Sequence, residues 1–355
     1  MSERWKTLSA HHLFWPVVVL LVLVVANVVY RPSFVSIEVR DGHLYGSLVD
    51  IVRLSAPLIL VGLGMTLVIA TGGIDLSVGS IVAISGAMAC LHISNQPDQN
   101  AVGGVLVAVV LGVLLATLLG IGNGILVAGI GIQPIIATLI LMVAGRGLAQ
   151  LITEGQIITI NSSPYKMIGA GYVLAVPFAI LIAAAVTALT WALTRRSALG
   201  MIIESVGGNA EASRLAGIRS RRFMLFVYAF SGLCAGIAGL MVTSDVSSAD
   251  GNNAGLWIEL DAILAVVIGG TSLVGGRFSI SGTVIGAILI QTLTTTVYAM
   301  NISTQTSLLF KAMVVIAVCL IQAPKFRAAL GRRRRRPPTA PAPTDKLTKK
   351  VEVPA

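Results

Sequence analysis

The sequence predicts an all-α polytopic membrane protein with about ten transmembrane helices. Of its 355 residues, 55% are hydrophobic and only 11% are charged, whereas soluble domains carry about 25% charged residues. The mean hydropathy is +0.90, and the apolar runs approach the roughly 20 residues that a spanning helix needs. They are too continuous for the alternating strands, about 10 residues each, of a membrane barrel.

Ten apolar stretches are predicted to span the membrane: 13–30, 54–71, 78–94, 102–121, 132–152, 171–193, 223–244, 257–275, 280–300 and 307–323. No small-residue cleavage site follows Tyr30, which indicates that the first stretch is a retained helix and not a signal peptide. The loops between the second and fifth stretches carry almost no charge, so an eight-span or re-entrant arrangement stays open there. The transmembrane domain is therefore predicted over 13–323, between a cytoplasmic N-terminus, 1–12, and a basic, disordered cytoplasmic tail, 324–355.

The basic residues predict the orientation. Of the 25 Lys and Arg residues, 19 fall on the side of the termini in the ten-span order, four on the opposite side and two within spans. The positive-inside rule then places both termini in the cytoplasm. The same rule accounts for the five consecutive arginines of 332–336, so the net charge of +10 does not require a nucleic-acid partner. The three cysteines lie within apolar runs and are predicted to be buried packing residues.

Motifs for catalysis are absent from the sequence. There is no G-x-x-x-x-G-K-[ST] phosphate loop, no zinc-binding spacing, and no histidine deep in a span near a carboxylate. We therefore expect a transport subunit with no catalytic residues, no metal and no cofactor of its own. Its energy would come from an ion gradient or from a separate subunit.

Ionisable residues inside the predicted spans are few: Asp75, Arg146, Glu259, Asp261 and Lys311. Asp75 lies in the segment 72–80, whose sequence is GGIDLSVGS. Asp75 and Ser77 either cap the following helix, with the glycines supplying a turn, or belong to a broken-helix element that lines a polar path. Arg146 either snorkels to the outer headgroups or pairs with a carboxylate.

The segment 195–222 is the most informative stretch on the predicted cytoplasmic side. Asn209 is predicted to be the N-cap of a short helix that Gly217 closes. One face of this helix carries small or apolar residues: Ala212, Leu215 and Ala216. That face is too weakly apolar to hold a membrane surface, and its flanking arginines suit docking into a groove on a partner. A surface helix lying in the membrane interface is the alternative.

Three motifs follow one another along the chain: GGIDLSVGS at 72–80, ALG through GGN to AGI at 198–218, and ELDAI with VIGGTSL at 259–273. With them, roughly residues 50–323 resemble the membrane permeases of bacterial ABC sugar importers of the ribose type. Within that family, the residues near 41–51, the sequence ATLILMVAGRG at 137–147 and AGLW at 254–257 most resemble permeases of galactofuranose importers.

The resemblance implies the ribose and vitamin B12 importer type of fold, with about ten helices, in the bacterial inner membrane. It implies two permease subunits forming the path, two cytoplasmic ATPase subunits that use ATP and Mg²⁺, and a periplasmic sugar-binding protein. The galactofuranose resemblance implies a heterodimer of different permeases, with a homodimer as the alternative. Residues 209–217 would be the coupling helix in an ATPase cleft, and coupling is assigned to Glu204, Gly207, Gly208, Asn209, Ala212, Ala216 and Gly217.

A neutral sugar needs a wide, mildly polar path without buried charge. The residues predicted to line it, or alternatively to bond helices to one another, are Asp75, Ser77, Ser85, Asn123, Thr138, Gln291, Thr292, Thr295 and Thr296. The outer loops 31–53 and 245–256 are predicted either to contact the binding protein or to be solvated turns. A galactofuranose-like sugar is expected; ribose, galactose, arabinose or xylose is the alternative, and an ion-coupled secondary carrier is the competing class.

Overall fold

The computed structural model of the chain describes residues 13–300 and, beyond them, Thr306, Leu309, Ala312, Met313 and Ile316. Within these residues the protein is a bundle of helices with three short two-stranded sheets. This confirms the predicted all-α polytopic class. The predicted N-terminal segment 1–12, most of the tenth span and the basic tail lie outside the described residues.

The helices are α1 Phe14–Tyr30, α2 Ser47–Ala70, α3 Val78–Ser94, α4 Val102–Gly124, α5 Pro134–Ile152, α6 Ser163–Ala170, α7 Phe178–Arg195, α8 Leu199–Gly208, α9 Ala210–Leu215, α10 Ser220–Val246, α11 Ile258–Ile268 and α12 Ile280–Ala299. A 3₁₀ turn, Pro32–Val35, follows α1, and a π-helical turn, Ile125–Ile130, extends α4. The strands are β1 Glu38–Arg40, β2 His43–Tyr45, β3 Ile157–Thr159, β4 Tyr172–Val173, β5 Val176–Pro177 and β6 Ser248–Asp250. They pair antiparallel as β1 with β2, β3 with β6 and β4 with β5.

Six helices in the described part of the chain are long and apolar enough to cross a membrane: α2, α4 with its extension, α5, α7, α10 and α12. Helices α1 and α3 have 17 residues each, about 25 Å, and are shorter than the roughly 30 Å hydrocarbon core. The eighth predicted span, 257–275, is wrong as a continuous helix. Helix α11 has 11 residues because the glycines after it turn the chain, with Gly270 at a φ of 89° that a right-handed helix excludes.

Helix α10 is the centre of the bundle, and it packs against α2, α3 and α4. Glycines allow the closest of these approaches. A Cβ added to Gly120 of α4 would lie 2.5 Å from the carbonyl oxygen of Tyr228, and one added to Gly232 of α10 would lie 2.5 Å from that of Ala116. Small residues are what let membrane helices pack at such distances.

The bundle has two distinct ends. Helix α7 runs from β5 to Arg195, and α10 runs back from Ser220 to β6, so the strands and the arginines lie at opposite ends. We call the end that carries the strands the sheet face. We call the other end the arginine face, because the described residues place seven exposed arginines there: Arg195, Arg196, Arg214, Arg219, Arg221, Arg222 and Arg277.

Between α2 and α3 the chain turns back into the bundle. Helix α2 ends at Ala70, whose carbonyl oxygen accepts from the backbone N–H of Gly276 at 3.0 Å. Asp75, five residues later, bonds to Ser231, which lies about 16 Å along α10 from its start. Helix α3 therefore begins inside the bundle, and the arrangement left open by the sequence is a re-entrant break and not a turn at the surface.

Candidate functional site

The arginine face presents the two short helices α8 and α9. The side chain of Asn209 accepts a hydrogen bond from the backbone N–H of Ala212 at 2.9 Å, which satisfies one of the free amides at the start of α9. Gly217 has a φ of 86° and follows the end of this helix, as a C-terminal glycine does. The predicted N-cap and closing glycine are both confirmed.

The predicted face of α9 is open to solvent. Ala212, Leu215 and Ala216 are all exposed, and Leu215 keeps 78% of its surface accessible. Nearby, Arg214 and Glu211 form an ion pair at 2.6 Å on the surface. Leu215 is thus an exposed apolar side chain beside a pair of opposite charges.

Three predicted coupling residues lie on α8, and their surroundings differ. Gly207 faces the bundle, because a Cβ there would lie 1.7 Å from the carbonyl oxygen of Ala70. Gly208 faces outward, with no atom within 4 Å of an added Cβ. Glu204 is half-buried. The structure thus gives Gly207 a packing contact with the end of α2 and leaves Gly208 at the surface with Asn209.

Asp75 is the centre of a buried polar cluster in the re-entrant break. One carboxylate oxygen accepts from the backbone N–H and the hydroxyl of Ser77, at 3.1 and 2.6 Å, and the other accepts from the Ser231 hydroxyl at 2.8 Å. The Asn123 amide donates to the Ser77 hydroxyl at 2.8 Å. We call Asp75, Ser77, Asn123 and Ser231 the Asp75 cluster. Ser77 occupies the N-cap position of α3, but its side chain makes no cap bond.

Four predicted path residues lie in or beside the Asp75 cluster. Asp75, Ser77 and Asn123 belong to it, and Thr138 lies beside it, where it donates to the carbonyl of Ile74 at 3.1 Å. Ser85 donates to the carbonyl of Gly236 on α10 at 2.9 Å. These side chains bond one helix or loop to another and are buried. Two further buried atoms, the Tyr228 hydroxyl and the Asn123 carbonyl oxygen, have no hydrogen-bond partner among the residues the structure describes.

An open cavity of about 340 Å³ lies on the sheet face, between α2, α10, α11 and α12. We call it the sheet-face cavity. Its polar lining consists of Arg53, Asp245, Asn253, Asp261 and Gln291. Gln291 is the predicted path residue that the structure places there. Thr295 is half-buried, and Thr292 and Thr296 are buried and donate to main-chain carbonyls of α12.

Acidic groups surround Arg53, the one cation that the described residues contribute to the cavity lining. Arg53 hydrogen-bonds to Asp245, lies 3.6 Å from a carboxylate oxygen of Asp50, and donates to the carbonyl of Gly169 at 3.4 Å. Asp261 adds another carboxylate to the lining. Arg53 follows Asp50 by one helical turn, which the sequence could have shown, but its contact with Asp245 spans 192 positions and depends on the fold.

Arg146 contacts the turn that precedes α11. Its guanidinium donates to the carbonyls of Ala254 at 2.7 Å and Gly251 at 3.5 Å, and it interacts electrostatically with Glu259 and Asp250. It therefore holds the turn that precedes α11, where the sequence had suggested a headgroup or a carboxylate as partner. Glu259 is buried, and one of its oxygens has no hydrogen-bond partner in the described part of the chain.

A bundle of membrane-spanning helices with a short exposed helix at one end and a polar cavity at the other is compatible with a transport permease. Residues 47–319 match the sequence model of the family described as branched-chain amino acid transport system / permease component, and the chain belongs to this family of multi-pass membrane proteins.

Several similar curated proteins are permeases named for sugars. The chain is 48% identical to the galactofuranose transporter permease protein YtfT of Escherichia coli, over 88% of this chain and 91% of the relative. It is 39% identical to the fructose import permease protein FruF of Bifidobacterium longum, over 93% of each, and 38% identical to the ribose import permease protein RbsC of Haemophilus influenzae, over 85% and 90%. No solved structure matches the chain. The resemblance to sugar-importer permeases is confirmed.

Proposed function

We propose that this chain is the permease subunit of an ATP-driven ABC importer that moves a monosaccharide across the bacterial inner membrane. The observation that carries the proposal is the charge of the sheet-face cavity. A branched-chain amino acid brings a carboxylate that needs a cation, and Arg53 is already matched by Asp245 and Asp50. A neutral sugar needs only hydrogen-bond partners for its hydroxyls, and the carboxylates and Gln291 supply them.

The size of the cavity agrees with a small solute. At about 340 Å³ it has room for about ten water volumes of roughly 30 Å³ each. The names of the relatives support the same class of substrate, and the 48% identity to a galactofuranose permease favours a galactofuranose-like sugar. Ribose, galactose, arabinose, xylose and fructose are the alternatives.

The two faces of the bundle support the proposed partners. The arginine face is cytoplasmic by the positive-inside rule, with both termini on that side, and the exposed Leu215 region docks an ABC ATPase subunit that uses ATP and Mg²⁺. The sheet face receives a periplasmic sugar-binding protein. A second permease subunit, different from this one or a second copy, completes the path. The chain itself binds no cofactor and hydrolyses no ATP in this proposal.

Transport by the reconstituted complex tests the proposal. The permease, its partner permease, the ATPase and the binding protein are placed in vesicles, and uptake of labelled galactose, ribose, fructose and isoleucine is measured with and without ATP. ATP-dependent uptake of a sugar, without uptake of isoleucine, is the expected result. Uptake that needs an ion gradient and no ATPase would overturn the proposal and establish a secondary carrier.

A further inference from the structure

Three aromatic side chains lie together on the sheet face: His43, Tyr45 and Tyr172. The rings of His43 and Tyr172 stack with their centroids 4.6 Å apart, and the Tyr45 ring lies 5.4 Å from that of Tyr172. The backbone N–H of Leu44 donates to the carbonyl of Ala175 at 3.0 Å, which fixes the β1–β2 pair against the β4–β5 pair. We call the three aromatic residues the aromatic rim.

Arg53 connects the aromatic rim to the sheet-face cavity. It lines the cavity, and both Arg53 and its neighbour Asp50 interact electrostatically with Tyr172. Burial, and then the adjacent Tyr45, raise the pKa of the Tyr172 phenol above its usual range, so at neutral pH this hydroxyl both donates and accepts. Tyr45 leaves 39% of its surface exposed. The rim therefore presents an open ring beside an acidic, hydrogen-bonding cavity.

We propose that the aromatic rim and the sheet-face cavity form one receiving site for the sugar, which rests on the proposed function. A pyranose or furanose ring has an apolar face of C–H groups and an edge of hydroxyls. The exposed Tyr45 ring packs against the apolar face, as aromatic side chains do with apolar groups. A carboxylate has about four acceptor positions, so those of Asp245 and Asp261 accept from sugar hydroxyls alongside their contacts within the protein, and the Gln291 amide both donates and accepts.

This arrangement makes the permease itself selective. Tyr45 and Tyr172 come from separate sheets, and Asp245, Asp261 and Gln291 come from three different helices or helix ends. Gln291 was among the predicted path residues, but sequence spacing does not bring these five residues together, so the other four were not predicted to line the path with it. A substrate must present both an apolar face and several hydroxyls to use the whole site.

The first test compares substitutions of two exposed tyrosines on the sheet face. Tyr45→Leu removes the ring and keeps apolar bulk, whereas Tyr45→Phe keeps the ring. Tyr30→Leu, at the end of α1 with 59% of Tyr30 exposed, is the matched control. ATP-driven uptake of labelled galactose, ribose and fructose is measured in vesicles with the complete transporter, together with thermal stability.

We expect Tyr45→Leu to lower uptake about two- to tenfold, the range for the loss of one ring contact. Tyr45→Phe, which keeps the ring, takes up sugar faster than Tyr45→Leu, Tyr30→Leu keeps the wild-type rate, and all three variants unfold near the wild-type temperature. Equal uptake by Tyr45→Leu and Tyr30→Leu would overturn the receiving site and leave the proposed function standing. A wild-type complex that takes up none of the three sugars would overturn the proposed function instead.

The second test measures occupancy directly. Asn253, exposed at the cavity, is replaced by Cys in a Cys319→Ser background; Cys90 and Cys234 are buried. The rate of modification by a charged methanethiosulfonate is followed with excess galactose, ribose, fructose or isoleucine. We expect a transported sugar to slow the reaction at Asn253→Cys and isoleucine to leave it unchanged. An unchanged rate with every sugar, or equal slowing by isoleucine, would contradict the receiving site.

Discussion

Asp75 shows how a carboxylate can be kept inside a membrane protein with no basic hydrogen-bond partner among the residues that the structure describes. Its oxygens accept from two hydroxyls and one backbone N–H, and hydrogen bonds of this kind to a buried polar group offset part of its desolvation. These donors come from the re-entrant break and from α10, so the Asp75 cluster holds the break against the central helix.

Substitution of Asp75 separates this structural role from ion coupling. Asp75→Asn keeps an oxygen for Ser77, and its amide faces a Ser231 hydroxyl that can accept, so we expect stable protein and retained ATP-driven uptake. Asp75→Leu leaves three buried donors without an acceptor, at about 1–3 kcal/mol each. Thermal unfolding in detergent and vesicle uptake check both outcomes. Abolished uptake in a stably folded Asp75→Asn protein would favour a secondary carrier.

The two adjacent glycines at the end of α8 give a second comparison of single residues. Gly207→Ala places a Cβ 1.7 Å from the carbonyl of Ala70, so the backbone must move, at a cost of about 1–3 kcal/mol or more. Gly208→Ala meets nothing within 4 Å. We expect a lower unfolding temperature for the first variant and an unchanged one for the second. The reverse order would show that α8 does not pack on α2 as described.

At the scale of the element, α9 is a six-residue helix that is too short to be stable on its own. Its cap at Asn209, its closing glycine and its attachment to α8 and α10 hold it in place. Its exposed leucine is therefore available to a partner at little cost in ordering, which favours tight docking.

Leu215→Lys tests that docking surface. We expect this substitution to reduce recovery of the ATPase subunit with the purified permease, because it places a charge where an apolar anchor packs. Leu174→Lys is the matched control, since Leu174 is 92% exposed at the opposite end of the bundle. Equal recovery of ATPase with both variants would refute docking at Leu215.

The elements that the sequence predicted well are those with local signals. Helix α3 has the predicted bounds, and the cap and closing glycine of α9 follow from Asn209 and Gly217. The sixth predicted span instead begins at Phe178, because Leu174 and Ala175 adopt positive φ values of 49° and 70° and turn the chain between β4 and β5. An apolar run alone does not show such a turn. For the same reason the predicted span 257–275 was longer than α11.

At the scale of the whole molecule, the separation of the sheet and arginine faces predicts sidedness. Leu174→Cys and Leu215→Cys are made in the Cys319→Ser background and treated with a membrane-impermeant maleimide. We expect Leu174→Cys to react in intact spheroplasts and Leu215→Cys to react only after permeabilisation, because the arginine face is cytoplasmic under the positive-inside rule. The opposite labelling pattern would invert the proposed orientation.

The polar groups of the molecule show what sequence reasoning can and cannot reach. Asp75 stood out because charge is rare inside apolar runs, and together with Ser77 it lies at the re-entrant break in the fold. The sheet-face cavity was missed as a unit, since Arg53, Asp245 and Gln291 are separated by more than forty positions each along the chain. Their convergence depends on how α2, α10 and α12 pack, which is set by many glycine and alanine contacts at once.

The backbone carbonyl of Ala70 joins three parts of the fold, which bears on how binding at one face of the bundle affects binding at the other. This carbonyl accepts from the backbone N–H of Gly276 and lies against Gly207 of α8. The end of α2, helix α8 and the loop after α11 therefore meet at one junction. The same helix α2 carries Arg53 into the cavity. If docking of the ATPase shifts this junction and so changes the affinity of the cavity for sugar by some factor, sugar in the cavity changes the affinity for the ATPase by the same factor. In that case a loaded permease would signal its cargo across the membrane through equilibrium binding alone, before any nucleotide is hydrolysed.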